Sequence, residues 1–322
     1  MIKKIFHRLP FINKLIADRD KLLAERDALL LMAKSQKNNS PEIIVNKDIL
    51  PAFPNGHYYS PIPDFNHDLP AYKKYKIPPK TIPGINLNPT LQINTFHKLS
   101  KYYQTQPFTY RKNKKNLFYL NNPNILYGDA FILYAMIRYL KPKQIIEIGS
   151  GYSSCLMLDT NRLFFNNQIK LTFIEPYPDL LLNLTDHHHY SQILTKKVQD
   201  IDLSVFNKLE ENDILFIDSS HVSKFNSDVN HILFNIIPSL KPKVVIHFHD
   251  IFYPFEYPQK WFKMGFCWNE DYVLKAFLEY NPNYQILFFN SYFYTFYQQL
   301  VHKHMPKIKK NTNSSLWLKK LV

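Results

Sequence analysis

Several apolar runs in this chain end in groups suited to proton and cation chemistry. Residues 244–250, VVIHFHD, finish in His247, His249 and Asp250, and residues 213–221, DILFIDSSH, finish in Asp218 and His221. Imidazoles and carboxylates at the tip of a buried strand need partners once water is excluded. A third run, KQIIEIGSG at 143–151, places Glu147 just before Gly149 and Gly151. Glycines there let the backbone approach a ligand closely, while the acid beside them repels a pyrophosphate and receives a cationic or hydroxyl-bearing group. Glu175, ending the run KLTFIE, is placed to accept from ribose hydroxyls, and Asp200 to accept from an adenine amino group. After Asp250 come Phe252, Tyr253, Phe255, Glu256, Tyr257 and Trp261. They offer ring faces and a carboxylate to a sugar or aromatic acceptor, or pack as a lid.

These groups must be held by regular elements, and from about residue 125 the pattern is regular. Strands are expected within 143–151, 170–176, 192–200, 213–220, 243–250 and 284–290, with a last one at 315–320. Between them lie helical stretches at YSSCLMLDTNRLFF, at PDLLLNLT, from His221 to Leu240 and from Asn269 to Tyr280. Strands alternating with helices predict an α/β doubly wound domain around a mostly parallel sheet. In such sheets ligands bind beyond the carboxyl ends of the strands. A nicotinamide fingerprint competes for the glycine turn, but Ser154 stands where its third glycine or alanine belongs. Glu147 favours S-adenosylmethionine, a sulfonium with no phosphate.

Residues 1–34 carry a heptad echo, Arg19-Asp20-x-Leu22-Leu23 then Arg26-Asp27-x-Leu29-Leu30. This predicts an amphipathic helix that packs on its own domain or forms a short coiled coil, a route to a homo-oligomer. Residues 35–104 form a linker and a wrapping segment, with ten prolines between Pro41 and Pro89 forbidding long helices and central strands. A short helix is expected near 90–104, and the α/β domain over 105–322. The net charge of +14 reads as lysine spread over solvated faces, since no single dense basic helix stands out. Cys155 and Cys267 have no metal or redox spacing, which points to a reducing cytoplasm. No apolar stretch approaches the ~18 residues of a membrane span. His187–His189 read as a surface loop, and His247, on the same strand face as His249, as a hydrogen-bonded core histidine.

EIGSGYSS, FIEPYP, FIDSSHVSKFNSDVNHILFNIIPSLKP and HFHDIFYPFEYP together resemble the bacterial class I S-adenosylmethionine-dependent methyltransferases. More narrowly they resemble a group found with polysaccharide and glycosylation enzymes, whose N-terminal segment is similar to NGHYYSPIPD at 55–64. The resemblance covers about 105–320; Lys241-Pro242-Lys243 departs from it only at a turn. It implies a seven-stranded Rossmann-like sheet in which the fourth and fifth strands are adjacent and parallel, with Asp218 and Asp250 facing one ligand. Two carboxylates that close repel unless a proton or cation sits between them. Related metal-dependent sugar O-methyltransferases use Asp-x-x-His after strand four, matched by Asp218-Ser-Ser-His221, and an acidic pair after strand five. Here His249-Asp250 takes the pair's place. The resemblance thus implies a magnesium or manganese site at Asp218, His249 and Asp250, with His221 as general base toward a glycan hydroxyl. Glu147, Gly149, Gly151, Ser153, Glu175 and Asp200 form the implied cofactor set. The structural alternatives are Asp218 capping a helix from Ser220 and Asp250 accepting from loop amides. A nucleic-acid acceptor is disfavoured, because Asp218-Ser-Ser-His221 is not the Asn/Asp-Pro-Pro-aromatic loop of amino-methylating enzymes. A cofactor-binding fold used only as an assembly module is the non-enzymatic rival.

Overall fold

A computed structural model describes residues 52–72, 78–185, 192–310 and 314–322. The heptad segment and His187–His189 lie outside them. Seven strands, β1 (Gln144–Ile148), β2 (Lys170–Ile174), β3 (Gln192–Leu194), β4 (Ile214–Ile217), β5 (Val245–His249), β6 (Tyr284–Phe289) and β7 (Ser315–Lys320), form one sheet. Its order is β3-β2-β1-β4-β5-β7-β6. All pairings from β3 to β5 are parallel, while β7 runs antiparallel to both neighbours. Period-2 alternation sorts side chains between two faces. Ile145, Phe216, Val245 and Trp317 join one core cluster; Ile146, Ile148, Leu215, Ile217, Ile246 and Phe248 join the other. Each fully buried Phe or Ile here contributes on the order of 1.5–3 kcal/mol of transfer free energy. Glu147, His247 and His249 share the first face by the same alternation, which is why two histidines and an acid lie inside the molecule.

Helices cover both faces: α1 (Phe65–Ala71), α2 (Pro89–Ser100), α3 (Tyr127–Leu140), α4 (Tyr152–Phe165), α5 (Asp179–Leu184), α6 (228–239), α7 (Gln259–Lys263), α8 (Glu270–Leu278) and α9 (Asn290–His304). Two differ from the sequence expectation. The helix expected from His221 begins only at Asp228, where the Ser227 side chain accepts the Asn230 amide. Asp218 therefore caps nothing; instead the Asp228 carboxylate accepts from the Ser220 amide at 2.8 Å and the Ser220 hydroxyl at 2.5 Å. Wide π-type turns at Ile232–Ile236 precede Pro238, whose ring and missing N–H disrupt ordinary i→i−4 bonding. The second is α9, which the sequence reading lacks. Its SYFYTFYQQ stretch is rich in β-favouring aromatics, and Tyr297 breaks the helical dihedrals.

The proline-rich segment docks on the strand ends. The buried Gln92 side chain donates to Leu87 O and accepts from Phe289 N. Tyr72 Oη donates to Tyr257 O at 2.6 Å, Gln259 donates to Leu69 O, and Tyr253 Oη donates to Pro79 O. These bonds tie the segment to the aromatic loop that follows β5. No helix among the described residues is long and apolar enough to cross a membrane.

Candidate active site

The turn after β1 is closely engaged with its neighbours. Gly149 has φ +81°, and a Cβ there would stand 1.8 Å from the carbonyl oxygen of Asp218. Its amide donates to Ile174 O, and the Asp218 amide donates to Ile148 O, so the ends of β1, β2 and β4 meet at this glycine. Glu147 lies fully buried below the turn and accepts from the Ser153 hydroxyl at 2.5 Å and from the Ser154 hydroxyl. The Gly151 amide in turn donates to Ser154 Oγ at 3.0 Å. Ser154, the residue that departs from the nicotinamide fingerprint, thus links the turn to the acid beneath it. Burial pushes the Glu147 carboxyl up to about 8 despite the serine hydroxyls. A carboxyl raised from 4.5 to about 8 by folding contributes stability fully present below pH 4.5 and lost as pH rises through 8. Glu147→Gln should therefore flatten the fall in melting temperature between pH 5 and pH 9. Parallel thermal melts of the two proteins check this, and parallel pH slopes would refute it.

A cavity of 160 Å³ opens beside this turn, lined by Gly149, Ser150, Gly151, Ser153, Glu175 and Asp218 together with Asn124, Ile125, Tyr152 and Leu180. Glu175 accepts from the Ser150 amide at 3.1 Å and the Tyr177 amide at 2.9 Å, and burial raises its pKa. Ser150 Oγ is buried without a hydrogen-bond partner among the described residues. Glu147 reaches this site only through Ser153 and Ser154. Asp200 lies elsewhere, exposed in the turn Val198–Asp200 and outside the cavity lining. Asn124, Ile125 and Leu180 come from loop and helix positions with no readable motif. A larger cavity of 400 Å³, bordered by Lys112–Lys115 and Arg162, shares no lining residue with it.

Next to the cavity, β4 and β5 bring their terminal groups together. Ile217 pairs with Phe248, so Asp218 and Asp250 follow on adjacent strands. His221 is buried and points Nε2 at both, 3.3 Å from Asp218 Oδ1 and 3.9 Å from Asp250 Oδ2. Asp218, His221 and Asp250 offer donor atoms all within 4.8 Å of one another. His221 therefore completes this donor set in place of His249, whose Nε2 lies 3.8 Å from Asp250 Oδ1. The reason is directional: His249 points to the sheet face of Phe216 and His247, whereas His221 returns over the strand ends from a left-handed backbone, φ +59°. Asp250 is also left-handed at φ +56°. Non-glycine residues in that region cost ~1–3 kcal/mol and concentrate at functional sites.

Carboxylates and imidazoles in this cluster shift one another's titration. Burial opposes ionisation of Asp218, but the His249 and His221 imidazoles outweigh it and hold its carboxyl below the usual range. Burial raises Asp250, with the two imidazoles and the Ser314 hydroxyl, which donates at 2.8 Å, acting against that. His249 is lowered by burial but raised further by Asp218, Asp250 and Asp129. His221 is likewise opposed by burial, yet Asp218 and a residue the sequence reading missed, Glu270, hold it well above 6.5. Glu270 Oε2 sits 2.8 Å from His221 Nδ1, and Glu270 itself is 1% exposed. Its only sequence signal is an acid in the first turn of α8, which a helix dipole would equally explain. His247 is buried, stacked 4.0 Å from Phe216, with Nε2 3.4 Å from His249 Nδ1.

Aromatic rings form the outer wall. Tyr253, Phe255 and Tyr257 are buried and pack the loop. Trp268 and Phe266, also outside the sequence reading, are only partly buried, and the Trp268 ring centroid lies 4.4 Å from that of His221. Phe266 stacks on Trp268 at 4.8 Å, and Trp261 meets it edge-on at 5.0 Å.

Residues 146–251, which run from the glycine turn through Asp250, match the family described as "Methyltransferase domain". A protein of Archaeoglobus fulgidus is 35% identical over 173 residues, spanning 52% of this chain and 78% of that relative. Methyltransferase PaMTH1 of Podospora anserina, solved with S-adenosylhomocysteine, aligns over 85% of this chain and 100% of its own at 12% identity, TM-score 0.41. The plantazolicin methyltransferase BpumL, also solved with S-adenosylhomocysteine, aligns over 72% of this chain and 100% of its own at 12% identity, TM-score 0.40. Neither superposes closely enough to inform the site. The chain belongs to one family with the archaeal protein, and its residues 146–251 carry a methyltransferase domain.

Proposed function

We propose that the protein methylates a hydroxyl of a sugar or glycan-type acceptor, with His221 as general base. The observation that carries this reading is a buried imidazole whose Nε2 faces Asp218 and Asp250 while Trp268 covers its ring. Aromatic faces beside a base suit the apolar face of a sugar ring, with one hydroxyl directed at the imidazole. The chemistry of the cavity supports S-adenosylmethionine: Glu175 offers a carboxylate to ribose hydroxyls, Ser150 Oγ is buried without a partner among the described residues, and no cationic side chain among them lines it. S-adenosylmethionine, when bound, supplies a methyl group on a sulfonium centre. His221 Nε2 then takes the acceptor's hydroxyl proton as the oxygen–carbon bond forms and the carbon–sulfur bond breaks. His221 starts with its pKa well above 6.5, so it must shed a proton first. Positive charge brought near it favours that loss.

The oxygen-rich donor set of Asp218 and Asp250 also fits a divalent cation of the magnesium or manganese type. Such a cation supplies Lewis acidity that lowers a hydroxyl pKa. His221 Nε2 belongs to the same donor set, and its one lone pair serves either the cation or the proton. We assign it to the proton, and the cation to the two carboxylates.

The test is S-adenosylhomocysteine release on a panel of methyl hexosides, with and without chelator. Turnover that a chelator abolishes and manganese restores supports the cation role; turnover indifferent to both removes it. Failure of every hydroxyl acceptor, with methylation of an amine or thiol instead, would sink the O-methyl reading. Glu175→Gln should weaken S-adenosylhomocysteine binding about 10- to 100-fold in titration calorimetry, the scale of a lost hydrogen bond to a charged group. Unchanged affinity would place the ribose elsewhere.

A further inference from the structure

We propose that Glu270 is the positioning residue of this site: it accepts a hydrogen bond from the Nδ1–H of His221 and thereby presents Nε2 to the acceptor side. This rests on the assignment of His221 as base and adds the partner that orients it. Two hydrogen-bonding contacts of Glu270 converge on the same histidine. Its carboxylate lies 2.8 Å from Nδ1, and its amide and that of Asn269 donate to the His221 carbonyl at 3.2 and 3.1 Å. Asn269 adds a second strap, accepting from the Ser223 amide at 2.6 Å and donating to Ser223 O at 3.1 Å. The start of α8 thus holds the left-handed turn at His221 by its backbone and the ring by its side chain.

The other carboxylate oxygen, Oε1, is buried with no hydrogen-bond partner among the described residues. A carboxylate serving only the fold would saturate both oxygens, because an unmet buried acceptor is destabilising. Here the imidazole is the one side chain within hydrogen-bonding distance of Glu270 among the described residues. An imidazole whose Nδ1–H is fixed on a carboxylate can use only Nε2 as acceptor, and Nε2 is the atom that faces Asp218 and Asp250.

The experiment uses the full chain with S-adenosylhomocysteine bound. Its proton spectrum should contain a far-downfield imidazole Hδ1 resonance that disappears in His221→Asn and in Glu270→Leu. The resonance should persist, shifted, in Glu270→Gln, whose amide oxygen still accepts the bond. On a methyl hexoside, Glu270→Leu should lower kcat about 10- to 100-fold, the usual scale for loss of an orienting outer partner, with KM for S-adenosylmethionine unchanged. Glu270→Gln should recover most of that loss. A downfield resonance that survives Glu270→Leu, or equal losses of kcat in the two variants, overturns the proposal. The resonance is read without turnover, so it stands or falls separately from the base assignment.

Discussion

Replacing His221 with alanine should lower methyl transfer by about 10²- to 10⁴-fold, the range for loss of a positioned general base, while S-adenosylhomocysteine binding is retained. The cavity proposed for the cofactor is lined by the β1 turn, Glu175 and Asp218, and His221 is outside that lining, so the variant separates binding from chemistry. The pH dependence should change with it. In the wild type the rate should rise with pH, because the imidazole is held well above 6.5 by Asp218 and Glu270 and only its neutral form accepts a proton. That rising limb should vanish in the variant.

Stability has its own sign. A histidine with a raised folded pKa contributes stability that is fully present below the unfolded value near 6.5 and lost as pH rises through the folded value. His221→Ala therefore destabilises most at acid to neutral pH, where it also leaves Glu270 buried and alone. Breaking a buried pair in this way costs about 3–5 kcal/mol, so calorimetric S-adenosylhomocysteine binding must first establish that the variant is folded. A folded, cofactor-binding variant with wild-type transfer would remove His221 from the mechanism.

Gly149→Ala is expected to be the most damaging single methyl group in the described fold. The new Cβ would meet the Asp218 carbonyl oxygen at 1.8 Å and its carbonyl carbon at 2.9 Å, from a backbone at φ +81°. Neither side can yield cheaply, because ladder bonds hold Gly149 to Ile174 and Asp218 to Ile148. A combined clash and conformational penalty belongs to the exceptional class of about 4 kcal/mol or more. For a domain of this size that corresponds to a melting temperature lower by roughly 10 °C or more. Loss of S-adenosylhomocysteine binding should accompany it, since the displaced turn lines the cavity. A variant that melts and binds like the wild type would show that β1 and β4 can separate at no cost, contrary to the geometry.

Sequence alone determined the framework. Apolar runs of strand length, the glycine turn after IIEI and the intervening helical stretches are local signals, and they specified a mostly parallel, doubly wound sheet. Strand-end polar groups were legible for the same reason: Asp218 and Asp250 interrupt apolar runs where a parallel sheet exposes its carboxyl edge. Tertiary structure decided what each group faces. Whether Glu147 meets solvent or Ser153 and Ser154 depends on how α4 seats above β1. Asp200, plausible by position, ends in an exposed turn because β3 stops at Leu194. His221 turns back over the strand ends, and Glu270 reaches it across 49 residues of chain, because α8 docks its first turn on the His221 carbonyl. Those contacts come from the packing of distant elements. Local periodicity and motif spacing carry no information about them.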